Sequence, residues 1–207
     1  MKRLIIGLGS GRTASMSLAH LFNEQPYCIG AHEDFHMPWD VDLEQLDRGM
    51  EYLAQQSAPL IVNVACYWLN YVPLIKQRSP ETKFICIYRD KEEIVRSFLR
   101  KTWGYNSWTR QGSPHIAKKD DRHNKKIYIW FPHYDAPKEE AVRKYVNTYY
   151  ALADTMVDDS FRIFHIDNLN TIDGIKSILD FAGIPEEQQV IKVLHENKNR
   201  LPGGGRW

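Results

Sequence analysis

The sequence predicts a three-layer α/β/α domain with a mostly parallel central sheet. Short strand-like runs that are apolar or β-branched on both faces alternate with amphipathic helical patterns, which is typical of a parallel sheet covered by helices on both sides. A glycine-rich turn follows the first run and leads into a helix, which predicts a P-loop-like strand–loop–helix unit. The length of 207 residues fits one domain, 1–207.

Five runs are predicted to be strands. The clearest lie at 3–8, 60–66, 83–88 and 161–166, and a weaker one lies near 27–31. Four stripes of apolar residues at helical spacing accompany them, and these stripes begin at Leu43, Ile94, Val142 and Ile175. Three apolar residues follow the fourth stripe: Val190, Ile191 and Leu194. Asp90, with Glu93 three residues later, predicts the N-terminal cap of the second stripe.

Composition and charge exclude several classes of protein. A hydrophobic content of 43% with 26% charged residues is that of an ordinary soluble globular domain, and a net charge of +1 argues against general binding of nucleic acid. Cys28, Cys66 and Cys86 are widely spaced in apolar surroundings, which favours free thiols in a reducing compartment over disulfides or a metal site. The apolar run 4–6 before the glycines is too short for a signal peptide, and no run has transmembrane length. We therefore expect a cytoplasmic protein without a membrane span.

The most informative segment is LIIGLGSGRTASMSLAHLF, residues 4–22. Glycines let the backbone turn tightly, and the free N–H groups of the following helix would face a ligand with the positive end of the helix dipole. Arg12 adds a cation whose planar head suits phosphate or sulfate oxygens. Three hydroxyls follow it: Thr13, Ser15 and Ser17. The segment predicts an anion-binding loop; the alternative is a glycine-rich turn that only connects strand and helix.

Two common nucleotide motifs do not fit this loop. If Gly11-Arg12-Thr13 is aligned with the end of a Walker A motif, Ile6 stands at the first glycine and arginine replaces the lysine. The dinucleotide fingerprint fails as well, because Gly7 and Gly9 would place Arg12 at the third glycine.

A second motif lies at the end of the strand predicted at 83–88. Arg89 follows this strand directly, and Ser97 lies eight residues later on the next helix. Since ligands of parallel sheets bind beyond the carboxyl ends of the strands, this pair could hold a second anion near the first loop. Alone, an arginine and an aspartate at a strand end are also typical of an ion pair or a helix cap.

Together the two motifs resemble those of sulfotransferases that use 3′-phosphoadenosine 5′-phosphosulfate (PAPS). The first loop of that family reads approximately [KR]-[ST]-G-T-[TS], which is similar to residues 12–17 here, with Ala14 in place of the glycine and Met16 in place of a hydroxyl. The family's second motif is a strand that ends in arginine with a serine eight positions later. The phrase DFAGI at 180–184 and the C-terminal tail from Arg200 to Trp207 are similar to further family motifs.

The resemblance implies an in-line transfer of a sulfuryl group to an acceptor hydroxyl or amine. It implies that the loop holds the 5′-phosphosulfate, through Gly11, Arg12, Thr13, Ala14, Ser15, Met16 and Ser17. It further implies that Arg89 and Ser97 hold the 3′-phosphate, that Arg200 covers the nucleotide, that Arg12 stabilises charge during transfer, and that no metal is required. With alanine in place of glycine, we expect an ordinary backbone angle at residue 14.

The residue that takes the acceptor's proton is expected in the segment after the run at 27–31. We favour Glu33 and then His32, because relatives of this family use a glutamate or a histidine as the base. The alternative is that both are surface or capping residues. The aromatic-rich segment 103–141 lacks helical periodicity and is expected to be a lid or acceptor-binding insertion, or to fill the edge of the core. The acceptor could be a small molecule, a carbohydrate or a peptide.

Two other functions stay open. A P-loop kinase for a small metabolite would need a loop lysine and an acidic Mg²⁺ ligand, for which Asp90 is the candidate. A non-catalytic protein that binds an adenine nucleotide is the third interpretation, and the departures at Ala14 and Met16 keep it open.

Overall fold

The computed structural model describes residues 2–35, 37–101, 132 and 134–192. Among these residues, five strands form one parallel sheet, in the order β2-β3-β1-β4-β5. Their bounds are β1 Arg3–Leu8, β2 Cys28–His32, β3 Leu60–Val64, β4 Lys83–Tyr88 and β5 Phe161–His165. All five predicted strands are therefore confirmed. The third is shorter than predicted, because a 3₁₀ helix begins at Cys66.

Within the described part of the chain, six α-helices accompany the strands: α1 Ser15–Asn23, α2 Leu43–Gln55, α3 Val72–Arg78, α4 Lys91–Lys101, α5 Lys138–Asp154 and α6 Ile172–Phe181. The four apolar stripes correspond to α2, α4, α5 and α6. The predicted cap of α4 is confirmed, since Oδ1 of Asp90 accepts a hydrogen bond from the Glu93 amide at 3.0 Å. Helix α3 and the 3₁₀ helices at Cys66–Tyr71, Ile166–Asn170 and Glu186–Gln188 were not predicted.

Helices cover both faces of the sheet, which confirms the three-layer architecture. On one face, α1 and α6 pack on the sheet around Leu18, Phe22 and Ile178. On the other face, the core contains residues of α2 to α5 and of the 3₁₀ helix at 66–71, including Trp68 and Tyr145. The sheet is thus buried from both sides, as its apolar strands predict.

The DFAGI phrase at 180–184 ends α6, and the chain then runs back towards the end of α1. Gly183 has a φ of 70°, and its amide donates to the Asp180 carbonyl at 2.9 Å, while the Ile184 amide donates to Leu179. This left-handed residue after a helix explains why the phrase needs a glycine. Val190 is then held by two hydrogen bonds with the buried Gln25 side chain. Val190 and Ile191 lie outside helices, and Leu194 lies outside the described residues.

The sheet order decides which loops meet. Strand β1 lies in the middle, so Gly7 is paired with Val64 of β3 on one side and Ile85 of β4 on the other. The last residue of β2, His32, is paired with Val64 as well. The glycine loop therefore lies between the ends of β3 and β4, with the end of β2 one strand further away. Within the described part of the chain, no helix has both the length and the apolar composition needed to cross a membrane.

Candidate functional site: an anion-binding loop

The loop between β1 and α1 turns through several left-handed residues. Gly11 has a φ of 87°, and Arg12 and Ala14 have φ of 62° and 61°. The expectation of an ordinary backbone angle at Ala14 is therefore wrong. Ala14 adopts the conformation that a glycine would favour, at a cost of about 1–2 kcal/mol for a residue with a Cβ. The backbone of the loop therefore has the conformation expected for a glycine at residue 14, although alanine stands there.

Helix α1 begins without a side-chain cap. Ala14 occupies the N-cap position, and its methyl group cannot accept a hydrogen bond. By contrast, Asp42 caps α2 through the Gln45 amide and Thr171 caps α6 through the Gly174 amide. The first N–H groups of α1 therefore lack the capping acceptor that α2 and α6 have, which suits an anion at this helix end.

The two predicted anion motifs lie in direct contact. Nε of Arg12 donates a hydrogen bond of 3.0 Å to the Ser97 hydroxyl, and Nη1 of Arg89 donates to the Arg12 carbonyl at 3.4 Å. Arg89 also pairs with Glu93 at 2.7 Å. The sequence places these residues up to 85 positions apart, and the parallel pairing of β1 with β4 brings them to one edge of the sheet.

Positive charge is concentrated at this contact. Burial, followed by the charges of Arg89 and Arg100, lowers the pKa of the Arg12 guanidinium, while the carboxylate of Glu33 acts in the opposite direction. Each positive charge near Arg12 disfavours the charged form of the other arginines, and an anion bound among them would reduce that repulsion. Sequence reasoning missed Arg100 and gave Glu93 only a part in the cap of α4. Their spacing from Ser97, three and four residues, places all three on one face of α4 and could have revealed them.

Inside the loop, Thr13 is fully buried, and its hydroxyl has no hydrogen-bond partner among the described residues. A Cβ added to Gly9 would lie 2.3 Å from this hydroxyl, and one added to Gly11 would lie 3.0 Å from the Phe98 ring. The loop thus leaves no room for a side chain at Gly9 and little at Gly11, and its Thr13 hydroxyl is unsatisfied among the described residues. Both features fit a loop that encloses a polar ligand. The side chain of Met16 is 44% exposed, and Ser17 is half-buried.

On the opposite flank of the loop, the end of β2 presents His32 and Glu33. The Ser15 hydroxyl and Nε2 of His32 are hydrogen-bonded at 2.7 Å, and Nε2 lies 3.9 Å from Oε1 of Glu33. The Glu33 amide donates to the Val64 carbonyl at 3.1 Å, and Glu33 has a φ of 53°. Both residues therefore lie beside the first turn of α1, half-buried and close to the loop between β1 and α1.

A polar network that runs from the buried Asn63 to the exposed Asp34 supports this flank. Side-chain amide Nδ2 of Asn63, which is fully buried in β3, donates to the Asp34 carboxylate, and Nε1 of Trp68 donates to Oδ1 of Asn63 at 2.7 Å. The hydroxyl of Tyr52 donates to the other Asp34 oxygen at 2.7 Å. These bonds fix the residue after Glu33 to β3, α2 and the 3₁₀ helix at 66–71. The partners lie far apart in the sequence, so no local sequence pattern predicts these bonds.

Several predicted features lie partly or wholly outside the described residues. Arg200 and the C-terminal tail are among them, as is most of the aromatic-rich segment 103–141. The prediction that this segment lacks helical structure is wrong at its end, because residues 138–141 form the first turn of α5.

A groove of about 500 Å³ lies at another place, along the β4–β5 side of the sheet. Its lining residues are Tyr88, Lys91, Tyr150, Asp154, Val157, Arg162 and Ile163. None of the predicted site residues lines it, so the groove is not part of the predicted site. Among the described residues, no group of His, Cys, Asp or Glu side chains is arranged to hold a metal ion.

The fold is that of sulfotransferases. A sulfotransferase from Alicyclobacillus acidocaldarius superposes with a TM-score of 0.51 over 89% of this chain and 82% of its own, at 10% sequence identity. The sulfotransferase domain from the curacin biosynthetic pathway superposes with a TM-score of 0.53 over 91% of this chain and 76% of its own, also at 10% identity. No protein-family profile and no curated protein matches the sequence. The relationship is thus one of fold.

Proposed function

We propose that this protein is a sulfotransferase that uses PAPS as sulfuryl donor and transfers the group in line to an acceptor hydroxyl or amine. The observation that carries the proposal is the contact between the two anion motifs, in which Arg12 is bonded to Ser97 and Arg89 is bonded to Arg12. This contact joins two cationic positions at one sheet edge. A nucleotide with anionic groups at both its 5′ and 3′ positions has the matching charge pattern.

The residues of the loop suit the 5′ end of such a donor. Arg12 provides the cation, the start of α1 provides N–H groups, and the buried Thr13 hydroxyl has no hydrogen-bond partner within the described part of the chain. Arg89 and Ser97 suit the 3′-phosphate, with Arg89 exchanging or sharing its ion pair with Glu93. The donor supplies an activated sulfuryl group when bound. Arg12 would hold the charge that develops on the donor side during transfer.

Glu33 is our candidate for the base that takes the acceptor's proton. Its carboxylate is half-exposed at the end of β2, and it is close enough to Arg12 to oppose the lowering of that residue's pKa. His32 is bonded to Ser15, so its role would be to orient the loop hydroxyl. The strained backbone at Glu33 agrees with a functional position, because such strain is often found at active sites.

The kinase alternative has less support from the contacts. Arginine stands where a kinase loop needs lysine, and the Asp90 carboxylate that could have bound Mg²⁺ caps α4 instead. The non-catalytic alternative has the same nucleotide site and differs only in turnover. Two measurements therefore separate the three functions.

The first measurement is calorimetric titration of the full chain with adenosine 3′,5′-bisphosphate in the presence of EDTA. We expect binding by the wild type, and a Kd at least about 100-fold higher in Arg89→Ala, since two hydrogen bonds to a charged group contribute about 3 kcal/mol. Arg143→Ala is the matched control, because Arg143 also pairs with carboxylates on the surface, those of Glu92 and Glu139. Its affinity should equal the wild type's. Binding that requires ATP with Mg²⁺ would overturn the proposal.

The second measurement is the transfer of radiolabelled sulfate from PAPS to a panel of phenols, sugars and tyrosine peptides. We expect label in at least one acceptor class, and its loss in Glu33→Gln without a change in bisphosphate affinity. A protein that binds the bisphosphate tightly but labels no acceptor in the panel would be the non-catalytic form.

A further inference from the structure

We infer that three tyrosines of α5 are positioning residues for the anion-binding loop, and that they decide which of its N–H groups are available to an anion. The three are Tyr145, Tyr149 and Tyr150, and together they are called the tyrosine clamp below. Its role in turnover rests on the proposed function, whereas its effect on the loop backbone does not.

Each hydroxyl of the tyrosine clamp bonds to the loop or to a strand end beside it. The Tyr149 hydroxyl accepts from the Gly9 amide at 3.0 Å and donates to the Cys66 carbonyl at 3.2 Å. The Tyr145 hydroxyl donates to the Ser10 carbonyl at 2.9 Å. The Tyr150 hydroxyl donates to the Ile87 carbonyl at the end of β4 at 2.9 Å and lies 3.5 Å from the Ser10 hydroxyl.

Burial makes these bonds important. Tyr145 and Tyr149 are fully buried and Tyr150 nearly so, and burial raises the pKa of all three hydroxyls, which therefore stay protonated as donors. A buried amide or carbonyl that loses its partner is left unsatisfied, because water does not reach it. The loop backbone at Gly9 and Ser10 is thus held in one arrangement by α5.

Packing alone does not explain three hydroxyls at this place. Phenylalanine would fill almost the same volume and make the same ring contacts, such as the edge contacts of Tyr145 with Tyr149 and of Tyr149 with Tyr150. The hydroxyls make the five contacts given above, which phenylalanine lacks, and those contacts are to the loop or to residues at the ends of β3 and β4. The clamp is therefore specific for the path of the loop.

The clamp also divides the loop into two parts. The Gly9 amide is used by Tyr149 and is not available to an anion, and the Ser10 carbonyl is held by Tyr145. Backbone donors for a ligand must then come from the residues after Gly9, a stretch that includes the left-handed residues and the start of α1, where the N-cap residue makes no side-chain hydrogen bond. This division assigns the ligand to the later part of the loop.

The experiment compares Tyr149→Phe and Tyr145→Phe with Tyr71→Phe in the full chain. Tyr71 is the matched control, since it is fully buried in the same core and its hydroxyl bonds to the backbone of Pro38, Asp40 and Asp42, away from the loop. Hydrogen exchange of the Gly9 amide, followed by NMR, reports on the clamp without any ligand. We expect exchange at Gly9 to be at least about tenfold faster in Tyr149→Phe than in Tyr71→Phe, when both are compared at equal global stability.

Titration with adenosine 3′,5′-bisphosphate gives the functional readout. We expect the Kd to rise about tenfold in Tyr149→Phe and in Tyr145→Phe and to be unchanged in Tyr71→Phe. Equal Gly9 exchange in Tyr149→Phe and Tyr71→Phe would overturn the inference, as would equal affinity in all three variants. If the wild type does not bind the bisphosphate, the proposed function fails, while the exchange measurement still decides whether the clamp exists.

Discussion

Glu33 offers a direct test of whether the site stores backbone strain. Its φ of 53° lies in the left-handed region, where a residue with a Cβ costs about 1–2 kcal/mol more than in its usual conformation. Glycine avoids that cost, but it also makes the unfolded chain more flexible, which lowers the free energy of unfolding by about 0.4–1 kcal/mol. Glu33→Gly and Glu33→Ala both lack the carboxylate, so the difference between their free energies of unfolding reports on the backbone. We therefore expect the glycine variant to be more stable than the alanine variant by about 0.5–1 kcal/mol.

The assay is urea denaturation at pH 7 with the wild type, Glu33→Gln, Glu33→Ala and Glu33→Gly. The glutamine variant removes the charge and keeps the strain, so its difference from the wild type reports the attraction between Glu33 and the cations near Arg12. That difference should be small, within about 1 kcal/mol, because the carboxylate is partly exposed. In thermal unfolding, the glycine variant should melt roughly 1–4 °C above the alanine variant.

Ala151→Gly is the control, for which we expect the exchange of alanine for glycine to change stability in the opposite direction. Ala151 is exposed in the interior of α5, where the same exchange should destabilise the protein by about 1 kcal/mol. All three Glu33 variants should lose sulfuryl transfer, because none keeps the carboxylate. A glycine variant that is less stable than the alanine variant by as much as Ala151→Gly would refute the strain argument, and full transfer activity in Glu33→Gln would remove Glu33 from the site.

Two further predictions concern Arg12 and pH. Arg12→Lys keeps the positive charge but loses the planar guanidinium. The guanidinium bonds Ser97 through Nε, and its other N–H groups can still bind an anion. We therefore expect calorimetry to show about tenfold weaker binding of adenosine 3′,5′-bisphosphate to the lysine variant. Ser97→Ala should then weaken binding less in the lysine background than in the wild type; additive effects would contradict the shared contact. Burial raises the pKa of Cys28 to about 12 and raises those of Cys66 and Cys86 as well. Since unfolded thiols titrate near pH 8.5, the unfolded chain loses these protons first, and the free energy of unfolding should fall above that pH by up to about 1.4 kcal/mol per pH unit for each thiol. Denaturation at pH 7, 8.5 and 10 measures this, and constant stability up to pH 10 would contradict it.

The strands, and the positions of the two motifs that we propose to bind anions, could be predicted because their signals are local. A strand buried on both faces is apolar throughout, and Arg89 with Ser97 is defined by a strand end and a fixed spacing. The parallel sheet then places the ends of β1 and β4 at one edge, whatever the details of the loops. Architecture and the meeting of the motifs follow from these facts together.

The backbone at Ala14 could not be predicted in this way. Alanine alone disfavours a left-handed angle, but the loop is fixed at Gly9 and Ser10 by α5 and at the Arg12 carbonyl by Arg89. These partners lie roughly 75 to 140 positions away in the sequence. Tertiary contacts of this kind override local preference, so the strain at residue 14 is visible only in the folded chain. The same reason hides the bonds of the tyrosine clamp.

The arrangement of the loop also bears on the direction of the proposed transfer. Arg89, Ser97 and Arg100 approach Arg12 from the side of β4 and α4, whereas His32 and Glu33 approach from the side of β2. Because β3 separates β2 from β1, the β2 flank reaches the loop through the bond between Ser15 and His32. Cations that would hold the donor and a carboxylate that would accept a proton thus lie on opposite flanks of one loop. An in-line transfer needs this separation, since the leaving group and the attacking hydroxyl occupy opposite sides of the transferred group.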